Sequence, residues 1–211
     1  KTVDWDAEAA EKAGYEHFMM KEIHEQPRAV KDTLNSVLKD GKIDLTDIGL
    51  AEEDIRRTSQ IYIVACGSAY HVGMVAQYVI EDLVKIPVRV ELASEFRYRK
   101  PILDPNGLVI IISQSGETAD SLAALRETKA QGIRTLGIVN VVGSSIAREA
   151  DKVFYTLAGP EISVATTKAY STQLMASYIL AIQFAKVKNT ITEEQYENYI
   201  AELQAIPEKI E

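Results

Sequence analysis

Three short runs of small polar residues carry the chemistry this sequence can offer. They are Cys66-Gly67-Ser68-Ala69, Ser113-Gln114-Ser115-Gly116-Glu117-Thr118 and Glu161-Ile162-Ser163-Val164-Ala165-Thr166-Thr167-Lys168. Each follows a strand-like stretch and runs into a helix-like one. A helix start presents unpaired backbone N–H groups and the positive end of the dipole, so it favours an anion. Serine and threonine hydroxyls add donors at little steric cost. Gly67 and Gly116 let the backbone approach a ligand closely or take a positive φ. Such a cradle can hold a phosphate without a basic surface, and a small hydroxylated phosphate ester is its natural ligand. A plainer reading stands beside this one: serine and threonine ahead of helices are usually caps, each worth about 1 kcal/mol.

The remaining reactive residue types are weaker candidates. Cys66, at a strand end, reads by default as a small buried hydrophobe. His17, His24 and His71 are scattered without metal-ligand spacing. Glu117 could act as a general base, or more simply complement a helix dipole, and Lys168 is equally ambiguous. Arg97-Tyr98-Arg99-Lys100 is the one dense basic cluster, and it reads as a solvated or subunit-contact patch. The Gly67…Gly73 spacing does not fit the dinucleotide fingerprint, and neither a G-x-x-x-x-G-K-[ST] loop nor a G-x-S-x-G elbow occurs. The reading therefore calls for no metal and no cofactor.

The elements that must position these loops lie in the middle of the chain. Strand signals fall at 60–65, 88–92, 108–113, 134–139 and 152–156, with helical stretches at 68–84, 118–131 and 144–150. The connection 94–106 reads as irregular. Leu108-Val109-Ile110-Ile111-Ile112 is a continuous apolar run, as befits a strand buried on both faces. Right-handed crossovers then give an α/β fold: a three-layer αβα sandwich around a five-stranded parallel sheet. In such sheets ligands bind beyond the carboxyl ends of the strands, where the polar runs sit. Residues 5–57 read as helical packing, with Pro27 near the start of a second helix, turns at Asp40-Gly41 and Asp47-Ile48-Gly49, and then a short helix around Glu52 to Arg57. A helix follows at about 166–186, with a core stripe of Leu174, Met175, Tyr178, Ile179, Ile182 and Ala185. A last helix starts at the Thr192-Glu193-Glu194 cap. The expected division is 1–57 as a helical segment, 58–188 as the ligand-binding domain and 189–211 as a connector.

Composition narrows the function further. The chain has 211 residues, 46% hydrophobic and 26% charged, an ordinary globular balance. A net charge of −8 argues against nucleic acid and against a polybasic membrane anchor. One cysteine rules out an internal disulfide framework. Without a membrane-length apolar run or an opening signal peptide, the expected compartment is the cytoplasm. The first residue, Lys1, suggests an excised piece.

Ser113-Gln114-Ser115-Gly116-Glu117-Thr118-Ala119-Asp120 resembles the signature of sugar isomerase (SIS) domains. The stretch from Tyr15 to Pro27, Cys66-Gly67-Ser68, Ala93-Ser94-Glu95-Phe96-Arg97-Tyr98-Arg99, and Glu161 through Lys168 are similar, in order, to the glucosamine-6-phosphate synthase family. That resemblance implies a glutaminase domain and two SIS subdomains in a homodimeric parent enzyme. The parent would turn fructose 6-phosphate and glutamine into glucosamine 6-phosphate, and this chain would be its first SIS subdomain. The family's catalytic glutamate, histidine and lysine would lie beyond Glu211, so no catalytic residue is expected here. The substrate cradle would fall on Cys66, Gly67, Ser68, Ser113, Gln114, Ser115 and Thr118, with Val164 and Thr166 on the sugar side. Ala69 stands where many members carry serine, and Thr166 where serine is common. A sugar-phosphate sensor or another SIS isomerase or deglycase are the alternatives.

Overall fold

The computed structural model of the chain describes residues 11–211. Two helices come first, α1 (Phe18–His24) and α2 (Gln26–Asn35). Pro27 sits in the first turn of α2, where its missing N–H leaves no bond unmade. After α2 the segment departs from the helical reading in one respect: the expected Asp40-Gly41 turn joins two short strands, while the short helix expected at about 52–57 is present. β1 (Leu38–Lys39) and β2 (Lys42–Ile43) form an antiparallel hairpin, followed by a 3₁₀ turn at Thr46–Ile48 and by α3 (Glu52–Arg57). The hairpin turn is Asp40-Gly41, both at positive φ, the conformation an Asp-Gly pair favours. Two-residue strands are too short to show an alternating pattern. The part of the helical expectation that falls on residues 5–10 lies outside the described residues.

The middle of the chain alternates strand and helix: β3 (Ile61–Ala65), α4 (Gly67–Val84), β4 (Val88–Leu92), α5 (Ala93–Arg99), β5 (Leu108–Ser113), α6 (Ala119–Ala130), β6 (Arg134–Val139), α7 (Ser145–Glu149) and β7 (Lys152–Tyr155). The long α8 (Lys168–Val187) and α9 (Glu193–Ile210) complete the fold. α5 replaces part of the irregular connection expected at 94–106. It has seven residues and buries only Ala93 and Phe96, so two turns leave little periodicity to read.

All five strands pair in parallel, in the order β4-β3-β5-β6-β7. The apolar runs divide by alternation between two cores. Ile61, Ile63, Leu108, Ile110 and Ile112 face α2, α4, α8 and α9. Tyr62, Val64, Val109 and Ile111 face α5, α6 and α7. This is why β3 and β5 are buried at every position. Val72, Ala76, Ile80 and Val84, one per helical turn, form the buried face of α4. The stripe expected on α8 holds at Met175, Ile179, Ile182 and Ala185, while Leu174 and Tyr178 are half-buried. α8 also buries Ala169, Ala176 and Ala181, small residues that let other elements pack against it closely. Among the described residues no helix is long and apolar enough to cross a membrane.

Because β3 leads by α4 to β4 on one side, while β5 leads by α6 to β6 on the other, the chain reverses direction across the sheet between β3 and β5. Their carboxyl ends open a crevice there, the usual ligand position in an open parallel sheet. The Cys66 and Ser113 runs flank that crevice.

Candidate functional site

The second run is the best organised of the three. Ser113, 3% exposed at the end of β5, accepts a hydrogen bond from the Gly116 N–H (3.0 Å) and pairs with Thr118 Oγ1 (3.0 Å). Ser115 Oγ accepts from the Glu117 N–H (3.2 Å). Gly116 has φ +66°, and a Cβ there would lie 2.1 Å from Ser144 Oγ, so a larger residue would be both strained and excluded. Thr118 occupies the N-cap position of α6 but makes no side-chain cap bond. The cap reading therefore fails for Thr118, whose hydroxyl is turned into the loop. Of the two protons on Ser113 and Thr118, their mutual bond uses one and leaves one to donate to a ligand. Ser115 likewise keeps its hydroxyl proton.

The first run forms the opposite wall. Cys66 is the N-cap of α4 in extended conformation, with its Sγ 3.9 Å from Ser121 Oγ and its side chain against the α5–α6 core. Gly67 (φ +56°) makes the turn into α4 and accepts from His71 Nδ1 at its carbonyl (3.1 Å). Ser68 is exposed at the helix start.

The third run closes the cavity, and here one expectation is corrected. Glu161 accepts hydrogen bonds from the Thr167 N–H (2.9 Å), the Ala169 N–H (3.2 Å) and the Thr166 hydroxyl (3.0 Å). Its carboxylate thus occupies the N-terminus of α8, leaving α4 and α6 as the helix starts open to an anion. Thr166 spends its hydroxyl proton on Glu161, so it offers the cavity an acceptor, suited to a sugar hydroxyl rather than to phosphate.

Together these loops enclose a cavity of about 250 Å³. Cys66, Ser68, Ser113, Gln114, Ser115, Thr118, Val164 and Thr166 line it, joined by Ala69, Ile112, Glu161, Ser163 and Gln173. Gly67 shapes the wall without being part of the lining, and Val164 stands fully exposed at the rim. No basic side chain lines the cavity. The basic cluster is engaged elsewhere: Arg97 pairs with Asp120 (2.7 Å) and Arg99 with Glu91. Glu117 turns away to cap α7, accepting from the Ser145 N–H (2.8 Å). Hydrogen bonds from Ser145 hold its carboxyl below the usual glutamate range. Lys168 is buried in an ion pair with Glu25 (2.6 Å). Among the described residues no group of three His, Cys, Asp or Glu side chains could hold a metal ion.

Asn140, which the sequence did not single out, staples the loops together. Its N–H donates to the Gln114 carbonyl (3.1 Å), its Nδ2 to the Gly159 carbonyl (2.7 Å), and its Oδ1 accepts from the Ala158 N–H (2.8 Å). Gln173 was also missed, and Glu161 was read only as part of the third run, without a role of its own. A carboxylate inside an anion cradle is a poor guess until its three donors are visible, and Gln173 lies within an otherwise apolar helix. A second, larger groove of about 550 Å³ runs between α4, α8 and α9, walled mainly by Tyr78, Leu83, Tyr178, Ile182 and Tyr199. The polar loops do not reach it.

Comparison with known proteins places this geometry. The SIS domain family matches residues 54–183. The chain is 58% identical over 210 residues to the glutamine–fructose-6-phosphate aminotransferase (isomerizing) of Clostridium tetani, covering 99% of this chain and 34% of that protein. The corresponding protein of Clostridium acetobutylicum matches with the same identity and coverage. The C-terminal domain of glucosamine-fructose-6-phosphate aminotransferase from Francisella tularensis superposes with a TM-score of 0.90 at 48% identity, over 94% of this chain and 56% of that one. The chain thus spans about a third of the length of the curated relatives it matches. By fold, by loop signature and by sequence, it belongs to the SIS domain family.

Proposed function

We propose that this chain is the first SIS unit of a glutamine–fructose-6-phosphate aminotransferase and that its cavity seats the phosphate end of fructose 6-phosphate. The observation that carries this reading is the loop after β5, where the Ser113–Thr118 pair and Ser115 leave hydroxyl protons unspent at the open N-terminus of α6. A phosphate accepts through three oxygens, and charge-assisted bonds to such donors are roughly twice as strong as neutral ones. Thr166 and the exposed Val164 then face the sugar. The parent enzyme would be a cytoplasmic homodimer making glucosamine 6-phosphate for amino-sugar synthesis.

The unit holds substrate rather than transforming it. Glu161, the one carboxylate lining the cavity, accepts hydrogen bonds from the Thr166 hydroxyl and the Thr167 and Ala169 N–H groups, so it serves to hold its own loop rather than as a base placed for substrate. The cavity is also smaller than the roughly 300–1,000 Å³ of ordinary small-molecule sites, which fits a site completed by a second unit. Its contribution to the reaction is positional: fixing the phosphate fixes the reacting carbons against groups supplied elsewhere.

Calorimetric titration with fructose 6-phosphate and with fructose tests the reading. Heat should require the phosphate, and Ser113→Ala/Thr118→Ala should weaken binding by roughly tenfold or more, as loss of hydrogen bonds to a charged group does. Equal binding of both sugars, or an unchanged double variant, would contradict the proposal.

A further inference from the structure

The helical segment ahead of the sheet touches the cavity's third loop at both ends. Glu22 of α1 is 2% exposed, and its Oε1 accepts from the Ile162 N–H (2.6 Å) and the Ser163 N–H (3.2 Å). Burying a carboxylate is strongly unfavourable unless hydrogen bonds compensate. Here those bonds go to this loop, and Oε2 is buried without a partner among the described residues. One turn later the same segment grips the other end of the loop. Glu25 Oε2 pairs with the buried Lys168 Nζ (2.6 Å), and Gln26 Oε1 accepts from Ser171 Oγ (2.6 Å). Between these anchors lie Ser163, Val164 and Thr166, all lining the cavity.

We infer that Glu22 is a positioning residue for the sugar side of the site, acting through the loop it holds and never touching substrate. The inference rests on the proposed function above. Glu22 approaches the 161–168 loop from outside the cavity, while Glu161 organises it from inside. With Glu22 gone, the Ile162 and Ser163 N–H groups lose their shared acceptor and the segment bearing Val164 and Thr166 is free to shift. The phosphate seat on the β5–α6 loop has no contact with Glu22 and keeps its geometry. Glu22 therefore governs affinity for the sugar ester without governing affinity for phosphate itself.

The test compares the full chain with Glu22→Ala and Glu22→Gln. Titration with fructose 6-phosphate and with inorganic phosphate is combined with amide hydrogen exchange. Removing an ionised acceptor in Glu22→Ala should weaken fructose 6-phosphate by roughly tenfold and leave inorganic phosphate unchanged. Glu22→Gln keeps the shape and a weaker, neutral acceptor, so its loss should be smaller, roughly threefold. The Ile162 and Ser163 amides should exchange faster in both variants while the β5 amides do not. Unchanged exchange at these two amides overturns the inference. So does wild-type affinity for fructose 6-phosphate in a variant whose loop amides have lost protection. A parallel loss of both ligands also overturns it, because that marks general damage to the cavity. If Glu22→Ala does not fold, Glu22→Gln decides by the same criteria. A wild-type chain that binds neither ligand overturns the functional reading instead, and the exchange rates alone then decide whether Glu22 holds the loop.

Discussion

Thr118 begins a helix without capping it, because its hydroxyl pairs with Ser113 rather than with the α6 backbone. A residue that declines the local bond its position offers is positioned for something else. Glu117, next to it, does cap a helix, but the next one in the chain. Bonds from Ser145 hold its carboxyl below the usual range, so folding favours its ionised form. With the folded pKa depressed, this contribution is present above the unfolded value of about 4.3 and is lost as the pH falls through the folded one. Glu117→Gln should therefore lower Tm at neutral pH, and the gap to wild type should close on acidification towards pH ~3. Thermal melts of both proteins between neutral and acidic pH check this; a gap that stays constant would contradict the assignment. At this scale the hydroxyls were legible, because a Ser-x-Ser-Gly-x-Thr run after a long apolar strand is uncommon. The carboxylates were not. The contact between Glu22 and Ile162 spans 140 residues, and neither residue type signals it.

The long elements were legible for a related reason. β5 and β6 have the expected bounds: the apolar run of β5 ends in Ser113, and Leu136-Gly137-Ile138-Val139 of β6 runs into Asn140, each polar residue marking where a buried strand stops. α9 begins where Thr192 and Gln195 form a reciprocal capping box, a four-residue signature that needs no tertiary information. α5 and the β1–β2 hairpin were missed because each has at most two turns or two residues per strand. Tertiary contacts sustain them: the Ile43 N–H at the end of β2 donates to the Tyr196 hydroxyl of α9 (2.9 Å). Thr192→Ala should cost about 1 kcal/mol, the ordinary worth of an N-cap. For a domain of this size that is a fall in Tm of about 2–4 °C. Melting by circular dichroism reads it, and an unchanged Tm would show that packing of Tyr196, Ile200 and Leu203 alone fixes α9.

Across the whole molecule, function follows from strand order. The sequence announced five parallel strands but not that β3 and β5 lie side by side, and that adjacency turns two separate hydroxyl runs into facing walls. Order is set by which helix covers which face, and single-sequence patterns do not carry that information. We propose that phosphate sits between the starts of α4 and α6. ¹H–¹⁵N shift mapping during titration with fructose 6-phosphate, with fructose as control, tests it most directly. The largest shifts should fall at Gly67, Ser68 and the 115–119 amides, with the groove between α4, α8 and α9 unchanged and fructose silent. Shifts centred on that groove, or the same pattern with fructose, would contradict it.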